Sequence, residues 1–581
     1  MTIILGLNAF HGDSSACLVR DGKLIAAAEE ERFRRVKHWA GFPSEAVKWC
    51  LKCAGASLAD VTHLAVNQDA KANLGRKLAF VATRRPDLSL VLDRIRNKRE
   101  RAGLGETLER ELGTPFKGEL VFVEHHLAHL ASAFLVSPFR DAVAVSVDGF
   151  GDFASAAWGA GRGASLEVDD KVYFPHSLGI FYQAITQFLG FPNYGDEYKV
   201  MGLAPYGQPT FLSQMRNLVK LEKDGGFKLD LSYFRHATEK IEYEWEGGDP
   251  VVGTLYSPKL DQLLGPPRAR EDALEQRHRD LARSAQAMYE EAFFHLLNAL
   301  YPRYGLDALT LSGGCAMNSV ANGKVYRQTP FKRLYIQSAA GDAGGAIGAA
   351  FIASARLIPD QRTFTMDHAY WGPEFSDAEV KAVIDGRAED ILHGACRIEF
   401  QDDESALCAK TAEAVADGAV VGWFQGRMEW GPRALGNRSI VCDPRRANMK
   451  EILNQKIKRR ESFRPFAPSI LREATRDWFE TDDDVPFMMQ VYQIREEKRS
   501  QIPAVTHVDG SGRLQTVTSD TNPRYYKLIE AFRSITGVPM VLNTSFNENE
   551  PVVCTPSEAL DCFLRTKMDV LVMGDWVVRR G

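Results

Sequence analysis

Short apolar runs separated by small polar turns open the chain and predict β-strands. Residues 2–8 are apolar enough for a buried strand, and two further runs follow at residues 16–20 and 23–28. Asp21 and Gly22 separate the last two runs with a dipeptide that is typical of a β-hairpin turn. We therefore expect the fold to begin with three short, neighbouring strands.

The same strand–turn–strand pattern recurs later in the first half of the chain. Residues 142–147 form an apolar run, residues 148–152 (DGFGD) form a turn, and residues 155–159 resume the apolar pattern. In the first turn of this kind, residues 8–15, backbone N–H groups can face an anion while Asp13 holds a metal ion or a water molecule. Two such hairpins indicate an internal duplication, which is typical of actin-like ATPases.

Two glycine-rich segments follow later and can bring a nucleotide close to the backbone. Residues 309–318 (LTLSGGCAMN) predict a strand, a glycine pair and a helix start. Residues 340–348 (AGDAGGAIG) repeat this arrangement, with Asp342 placed to complete a metal site. Glycine lets a ligand lie against the main chain, and a helix N-terminus favours phosphate. Glycine pairs more often mark tight helix packing, but two hairpins and two glycine segments together favour a nucleotide site.

Three histidines lie within five positions, at residues 125, 126 and 129. On a helix, His125 and His129 share one face and can bind a single divalent ion. His126 and His129 are three residues apart, so the spacing leaves both pairings open. Asp148, at the end of the following apolar run, can supply a carboxylate ligand. One helical histidine is usually structural, but this combination favours a metal site.

Charged residues in two other segments are candidates for ligand contacts. Residues 29–38 (EEERFRRVKH) directly follow a predicted strand, so Lys37 can reach a phosphate, although such a run is usually a solvated surface. Residues 193–202 (NYGDEYKVMG) place Glu197 and Lys199 between aromatic residues and glycines. That composition suits a loop facing the substrate, and a structured surface turn is equally compatible with it.

Length and local composition divide the chain into two domains, since 581 residues are too many for one core. We predict domains at residues 1–357 and 373–581, joined by a linker at residues 358–372 that is rich in Pro, Asp and aromatic residues. The first domain is predicted to contain a helical insertion at about residues 71–112 and an irregular insertion at about residues 210–270.

Composition narrows the class of protein. A hydrophobic content of 45% and a charged content of 25% are ordinary for a soluble globular protein, and the net charge of −5 disfavours nucleic acid as the main partner. No apolar run of about 18 residues and no signal-peptide pattern is found, so we expect no membrane association. Nine scattered cysteines suit reduced thiols in the cytoplasm, and a homodimer is the default assembly.

The second domain concentrates basic side chains in segments that also contain glycine and aromatic residues. Residues 426–440 contain three arginines, among them Arg433, and arginine offers a planar fork for phosphate or carboxylate. Arg464 lies between aromatic residues, and Arg513 follows a glycine-rich turn. The predicted strand at residues 538–542 ends in a polar NTSFN segment that can hold an amide-bearing ligand. The basic run at residues 456–460 is in part typical of a solvated helix face. Together these segments predict that the second domain forms a pocket for an anionic small molecule.

Together these motifs resemble those of the O-carbamoyltransferases of the nodulation, cephamycin and tobramycin type. In the first half, the matching motifs are GLN at residues 6–8 with His11 and Asp13, EEERF at 29–33, and HHLAH at 125–129. In the second half, they are GPRALGNRS at residues 431–439, FRPFAP at 463–468, and NTSFN at 543–547. The resemblance covers essentially the whole chain, and the second-half motifs are specific.

The resemblance implies an α/β protein made of two domain types. The N-terminal one has a duplicated actin-like ATPase fold, similar to the universal tRNA threonylcarbamoyladenosine protein, and the C-terminal one is similar to threonylcarbamoyl-adenylate synthase. The C-terminal domain is implied to join carbamoyl phosphate to ATP, giving carbamoyl-adenylate and pyrophosphate. The N-terminal domain then transfers the carbamoyl group to a hydroxyl of a natural product or sugar, near a metal that is usually iron, with Mg²⁺ accompanying ATP. An actin-like sugar kinase and a non-catalytic, nucleotide-gated binding protein are the alternatives.

The resemblance also implies a role for individual residues. The metal ligands are His125, His129, Asp148 and Asp342, which leaves His126 outside the ligand set. The nucleotide contacts of the N-terminal domain are Lys37, Gly313, Gly314, Asn318 and Asp342. The contacts to carbamoyl phosphate and the adenylate are Arg433, Lys458, Arg464, Arg513, Ser545 and Asn547. The catalytic candidates are His11, Asp13 and Lys37. The acceptor-site candidates, Glu197 and Lys199, rest on the composition of their own segment instead. Close relatives often have adjacent His and Asp, whereas Gly12 separates them here, so either His11 or Asp13 can be the base.

Overall fold

The structure of the protein, a computed structural model, is a mixed α/β arrangement of two compact units. It describes residues 1–84, 103–244, 250–358, 362–458 and 460–581. The first unit is Met1–Met366 and the second is Asp367–Gly581. The boundary between them falls within the segment predicted as a linker. No helix in these described ranges is both long and apolar enough to cross a membrane.

Five strands form the first sheet of the first unit. Its first three strands along the chain pair antiparallel, and the other two continue parallel to the first. In spatial order the strands are Lys23–Glu29, Ser15–Arg20, Ile3–Asn8, His63–Val66 and Glu119–Phe122. Every residue of the central strand, Ile3–Asn8, is buried, as expected for a strand covered on both faces.

A second five-stranded sheet repeats this strand order and these strand directions. Three antiparallel strands are again followed by two that run parallel to the first of them. In spatial order the strands are Ser165–Tyr173, Ala154–Arg162, Asp141–Gly151, Ala308–Ser312 and Arg333–Ile336. The two hairpins singled out in the sequence thus occupy equivalent places in two sheets of one topology.

Two helices pack against each other between these sheets. The histidine helix, His125–Phe134, lies on the second sheet, and the glycine helix, Gly344–Leu357, lies on the first. Their backbones approach so closely that a methyl group on Gly348 would overlap the carbonyl oxygen of Ala128. This close approach requires glycine at position 348.

The other helices of the first unit surround these layers. They are Glu31–Arg34, Ser44–Cys53, Leu74–Arg84, Leu104–Leu112, Leu178–Phe188, Glu197–Leu203, Leu212–Leu218, Lys259–Leu264, Gln276–Tyr304, Ser319–Asn322 and Val325–Gln328. Two short hairpins are formed by Val219–Leu221 with Phe227–Leu229 and by Tyr243–Glu244 with Val251–Val252. Residues 85–102 of the predicted helical insertion lie outside the described residues. The region near 210–270, predicted as irregular, contains these hairpins and short helices.

A nine-stranded mixed sheet forms the centre of the second unit. In spatial order its strands are Cys396–Phe400, Trp576–Arg580, Val570–Met573, Val421–Phe424, Arg438–Cys442, Met540–Ser545, Ala467–Leu471, Ser511–Val517 and Gln490–Gln493. Its helices are Asp377–Gly386, Ala388–His393, Glu404–Ala416, Met449–Leu453, Thr475–Trp478, Glu496–Arg499, Pro523–Thr536 and Pro556–Arg565, with a π-turn at Asn454–Lys458. The strand predicted at 538–542 instead runs Met540–Ser545, because Asn543 and Thr544 pair with neighbouring strands.

Candidate functional site

Four buried side chains from three segments of the first unit converge at one point. His125 and His129 lie one turn apart on the histidine helix, Asp148 belongs to the strand Asp141–Gly151, and Asp342 precedes the glycine helix. The Nε2 atoms of both histidines lie 3.1 Å from Oδ2 of Asp148. Nε2 of His129 lies 3.3 Å from Oδ1 of Asp342. Each residue offers one donor atom, and all four atoms lie within 4.8 Å of one another.

This donor set fits a divalent transition metal. Two imidazole nitrogens and two carboxylates are ligands that such ions accept. The Nε2 atoms of His125 and His129 face each other at 3.0 Å, an arrangement that a shared cation would stabilise. Burial opposes protonation of His129, yet its hydrogen bonds to Asp148 and Asp342 raise its pKa to about 9. The pocket therefore favours positive charge at its centre.

The glycine pair at residues 313–314 holds one of these ligands in place. The backbone N–H of Gly314 donates to Oδ1 of Asp148 at 3.0 Å. Gly313 has a φ of +83°, and a methyl group there would overlap the carbonyl oxygen of Val147. Gly314 thus contacts the metal-type cluster, our name for His125, His129, Asp148 and Asp342, while Gly313 packs against Val147. The role of the pair in binding a nucleotide stays a prediction.

His126 points away from the cluster, although the spacing alone allowed it as a ligand. Its Nδ1 lies 3.0 Å from the hydroxyl oxygen of Ser146. Burial and the neighbouring His125 lower the pKa of His126 to about 3, so this imidazole is neutral. The structure therefore brings together His125 and His129, not His126 and His129.

His11 and Asp13 have different partners on either side of Gly12. Nδ1 of His11 contacts Oδ2 of Asp342, so His11 adjoins the four converging donors. The carboxylate of Asp13 lies 2.7 Å from Nδ1 of His38. Burial opposes protonation of His38, but Asp13 raises its pKa to about 9.

His38 is a residue of this site that the sequence analysis did not single out. Its backbone N–H donates to Oε2 of Glu31 at 2.9 Å, and its ring meets that of Tyr194 edge-on at 5.2 Å. Asp13, Glu31 and His38 form a second group of potential metal donors. A signal was present, because His38 directly follows Lys37 in the charge run, but its partner Asp13 is 25 residues away.

The remaining candidates of the first unit have individual contacts. Glu197 begins a helix, and its pKa is raised to about 7, first by burial and then by Asp196. Lys199 forms an ion pair with Asp196 at 2.8 Å. The side chain of Asn318 caps the helix Ser319–Asn322. Burial acts to raise the pKa of the Glu31 carboxyl, but nearby positive charges lower it overall. Lys37 is close enough to be one of them.

In the second unit, three of the predicted anion contacts lie together. The buried amino group of Lys458 donates to the backbone oxygens of Ser545 and Asn547 at 2.6 and 2.7 Å. It also donates to Oδ1 of Asn547 at 2.6 Å. These hydrogen bonds attach the π-helical turn Asn454–Lys458 to the end of the strand Met540–Ser545.

The predicted arginines lie near one another and near Lys458. Burial, followed by the charges of Arg433, Arg460 and Arg464, holds the pKa of Arg513 well below its usual range. Burial, Arg460 and Arg464 act in the same direction on the pKa of Lys458. We call these five residues the cationic cluster. Like charges brought together in this way repel, and a bound anion relieves the repulsion.

Arg460 is an additional member of the cationic cluster. The basic run at 456–460 predicts a partly solvated helix face, but the guanidinium of Arg460 lies 4.4 Å from the ring centroid of Phe466. The signal was the alternation of basic and aromatic residues between 460 and 466, which is also typical of an ordinary surface.

Two family models match most of the chain. Residues 3–351 match the carbamoyltransferase N-terminus, and residues 412–580 match the carbamoyltransferase C-terminus. The chain belongs to the O-carbamoyltransferase family. This confirms the family resemblance predicted from the motifs. The protein is accordingly a transferase enzyme, and the family reaction is transfer of a carbamoyl group to a hydroxyl acceptor.

Relatives in two groups support this assignment. The carbamoyltransferase chain is 39% identical over 582 residues to the nodulation protein NolNO of Sinorhizobium fredii, covering 99% of this chain and 80% of that protein. It is 35% identical over 274 residues to the 3'-hydroxymethylcephem-O-carbamoyltransferase of Amycolatopsis lactamdurans, covering 47% of this chain and 49% of that one. The HypF crystal structure from T. kodakarensis is distantly similar, with a TM-score of 0.31 and 15% identity over 62% of this chain and 48% of that one.

Proposed function

We propose that this carbamoyltransferase depends on ATP and works in two stages, one in each unit. The second unit forms carbamoyl-adenylate, and the first transfers the carbamoyl group to a hydroxyl of a natural product or sugar. The observation that carries this proposal is the presence of two sites with opposite chemistry. A cluster of five basic side chains in the second unit, of which Lys458 is buried, suits phosphates. The His and Asp donors of the first unit suit a metal.

The proposed folds agree with this division of labour. The shared strand order of the two sheets in the first unit supports a duplicated actin-like ATPase fold. For the second unit we propose an α/β fold like that of threonylcarbamoyl-adenylate synthase. The proposed domains are residues 1–357 and 373–581, with 358–372 between them.

In the second unit, the cationic cluster neutralises the charges of carbamoyl phosphate and ATP. We assign this role to Arg433, Lys458, Arg464 and Arg513, while Ser545 and Asn547 fix the position of Lys458 and line the pocket. Neutralising charge on transferring phosphates is the usual dominant contribution in such steps. Water cleaves carbamoyl phosphate to carbamate and phosphate. A carbamate oxygen then bonds to the α-phosphorus of ATP while the bond from that phosphorus to the β-phosphate oxygen breaks, and pyrophosphate leaves with the bonding electrons.

In the first unit, the acceptor hydroxyl attacks the carbamoyl carbon. A new C–O bond forms, the C–O bond to AMP breaks, and AMP leaves with the bonding electrons. The hydroxyl proton moves to His11 or Asp13. Nδ1 of His11 already faces Asp342, so Nε2 of His11 is the atom that can accept the proton.

The other candidates bind the two reactants. Lys37, Gly313, Gly314 and Asn318 are proposed to hold the AMP portion, and Lys37 to assist the transfer electrostatically. Glu197 and Lys199 are proposed to face the acceptor.

A divalent metal fits the four converging donors, and we propose iron there, with Mg²⁺ accompanying ATP. His125, His129, Asp148 and Asp342 would hold the ion. When bound, it supplies a Lewis acid for the carbamoyl group or an anchor for the AMP phosphate.

One assay tests the proposal against its alternatives: pyrophosphate, phosphate and ADP are measured after ATP and carbamoyl phosphate are added with and without an alcohol. We expect the wild type to release pyrophosphate and phosphate together. Arg433→Ala should abolish pyrophosphate release, and His129→Ala should retain it while losing carbamoylation of the alcohol. ADP formation would indicate a sugar kinase instead. ATP binding without pyrophosphate release would indicate a nucleotide-gated binding protein.

A further inference from the structure

The loop that carries Arg433 has no regular secondary structure, yet its backbone is held in one path. It spans residues 431–437 and leads directly into the strand Arg438–Cys442. Gly431 and Gly436 have φ values of +109° and +107°, which other residues rarely adopt. A loop of this kind needs partners for its backbone N–H and C=O groups.

A single carboxylate oxygen holds two of these backbone N–H groups and that of the first residue of the following strand. Oε1 of Glu429 accepts hydrogen bonds from the N–H groups of Leu435, Asn437 and Arg438, at 2.7, 2.9 and 3.1 Å. Glu429 is 5% exposed, so water competes little for this oxygen. Hydrogen bonds to an ionised acceptor are about twice as strong as neutral ones.

Neutral side chains hold the carbonyl groups of the same loop. The amide of Asn543 donates to the carbonyl oxygen of Ala434 at 3.0 Å. The amide of Gln515 donates to that of Leu435 at 2.9 Å. The amide of Asn543 also donates to the side-chain oxygen of Gln515 at 3.1 Å. The backbone N–H groups of the loop are therefore held by one carboxylate, and its carbonyl groups are held by side-chain amides.

The cationic cluster explains why such fixation matters. Arg433 lies close enough to Arg513 to lower the pKa of that residue, so the two charges repel. A free loop would let Arg433 move away whenever the anion is absent. Holding it near the other cations before the anion arrives reduces the ordering that binding requires.

We propose that Glu429 is a positioning residue for carbamoyl phosphate, acting through the backbone of the loop that carries Arg433. This inference rests on the proposed function of the second unit. Glu429 holds backbone N–H groups of the loop, so its negative charge fixes the segment that presents the positive charge of Arg433.

The test measures the affinity of the full-length protein for carbamoyl phosphate by titration calorimetry, without ATP. Glu429→Gln keeps the size of the side chain and removes its charge, and we expect affinity to fall about tenfold as three charge-assisted hydrogen bonds weaken. In an Arg433→Ala background the same change should alter affinity less than about twofold, because coupled residues are not additive. Glu379→Gln is the matched control, since Glu379 holds the backbone N–H of Ser376 at a helix start, and it should leave affinity unchanged.

Equal losses of affinity in both backgrounds, or no loss in either, would overturn the role of Glu429. Glu429→Asp is a second variant, because it keeps the charge but withdraws it from the three N–H groups, and it should show the same dependence on Arg433. Pyrophosphate release by the wild type tests the proposed function separately. If the wild type binds carbamoyl phosphate but releases no pyrophosphate, the adenylate proposal fails while the Glu429 comparison still stands.

Discussion

The protonation of the buried amino group of Lys458 is linked to ligand binding in the second unit. Its amino group faces oxygens of Ser545 and Asn547, while burial and two arginines hold its pKa well below its usual range. Removal of water and like charges both disfavour the protonated form. An incoming anion reverses this balance, because it favours the charged amino group.

We therefore expect carbamoyl phosphate to bind with proton uptake. Anion binding raises the pKa of Lys458 towards its usual range, so affinity should decrease as pH rises and Lys458 loses its proton. Calorimetry in two buffers of different ionisation enthalpy measures the number of protons taken up. Lys458→Met should bind more weakly and take up fewer protons. An uptake unchanged in that variant would contradict the assignment to Lys458.

Gly12, between His11 and Asp13, leads to a second expectation. A methyl group at position 12 would lie 2.8 Å from the hydroxyl oxygen of Tyr194, so a side chain there displaces Tyr194 or the turn. Gly12→Ala should slow carbamoyl transfer about tenfold, since small misplacements at a reacting centre are costly. Pyrophosphate release should be unchanged. Adding Tyr194→Phe, which removes the oxygen, should restore part of the lost rate; no recovery would point to strain elsewhere in the turn.

Helices and strands account for most of what could be predicted from the sequence. Apolar runs located the central strands, and helical spacing placed His125 and His129 on one face, because periodicity reports local geometry. Partners distant in the chain could not be read in this way. The run at 29–38, for instance, is not simply a solvated surface, because Glu30 is buried and its carboxylate accepts a hydrogen bond from the N–H of Ala46, 16 residues away. The glycine-rich segment at 340–348 suggested Asp342 for a metal site, but only the family resemblance gave the full set of four donors.

The close approach of the glycine helix to the histidine helix leads to a prediction about stability. Gly348→Ala would force the helices apart at Ala128, next to His129, and overpacking of this kind costs about 1–3 kcal/mol. The expected result is a lower melting temperature in thermal unfolding followed by circular dichroism. Gly75→Ala is the matched control, because a methyl group there meets nothing within 4 Å. Equal effects of the two substitutions would contradict the packing argument.

At the scale of the whole molecule, each unit has a hydrophobic core of its own. One core lies among residues 3–108, and another lies among residues 380–578. Separate cores can unfold separately, so a single unfolding free energy need not describe the chain. Ligands that bind one folded unit should stabilise that unit alone.

We expect two transitions in scanning calorimetry. A chelator should lower only the transition that Gly348→Ala also lowers, because the metal-type donors and Gly348 belong to the first unit. Carbamoyl phosphate should raise the melting temperature of the other transition only. At a hundredfold excess over its Kd, it should add about 2.7 kcal/mol to the unfolding free energy of the second unit. A chelator that lowered both transitions, or neither, would be inconsistent with a metal confined to the first unit.

The cationic cluster has a consequence for sustained turnover. A pocket that gathers five basic side chains to attract carbamoyl phosphate also attracts pyrophosphate, the more highly charged product of the proposed reaction. Pyrophosphate should therefore compete with carbamoyl phosphate for the cationic cluster. Once pyrophosphate accumulates, its departure should limit the rate. In a cell, continuous hydrolysis of pyrophosphate would both empty the pocket and draw the activation of carbamoyl groups forward.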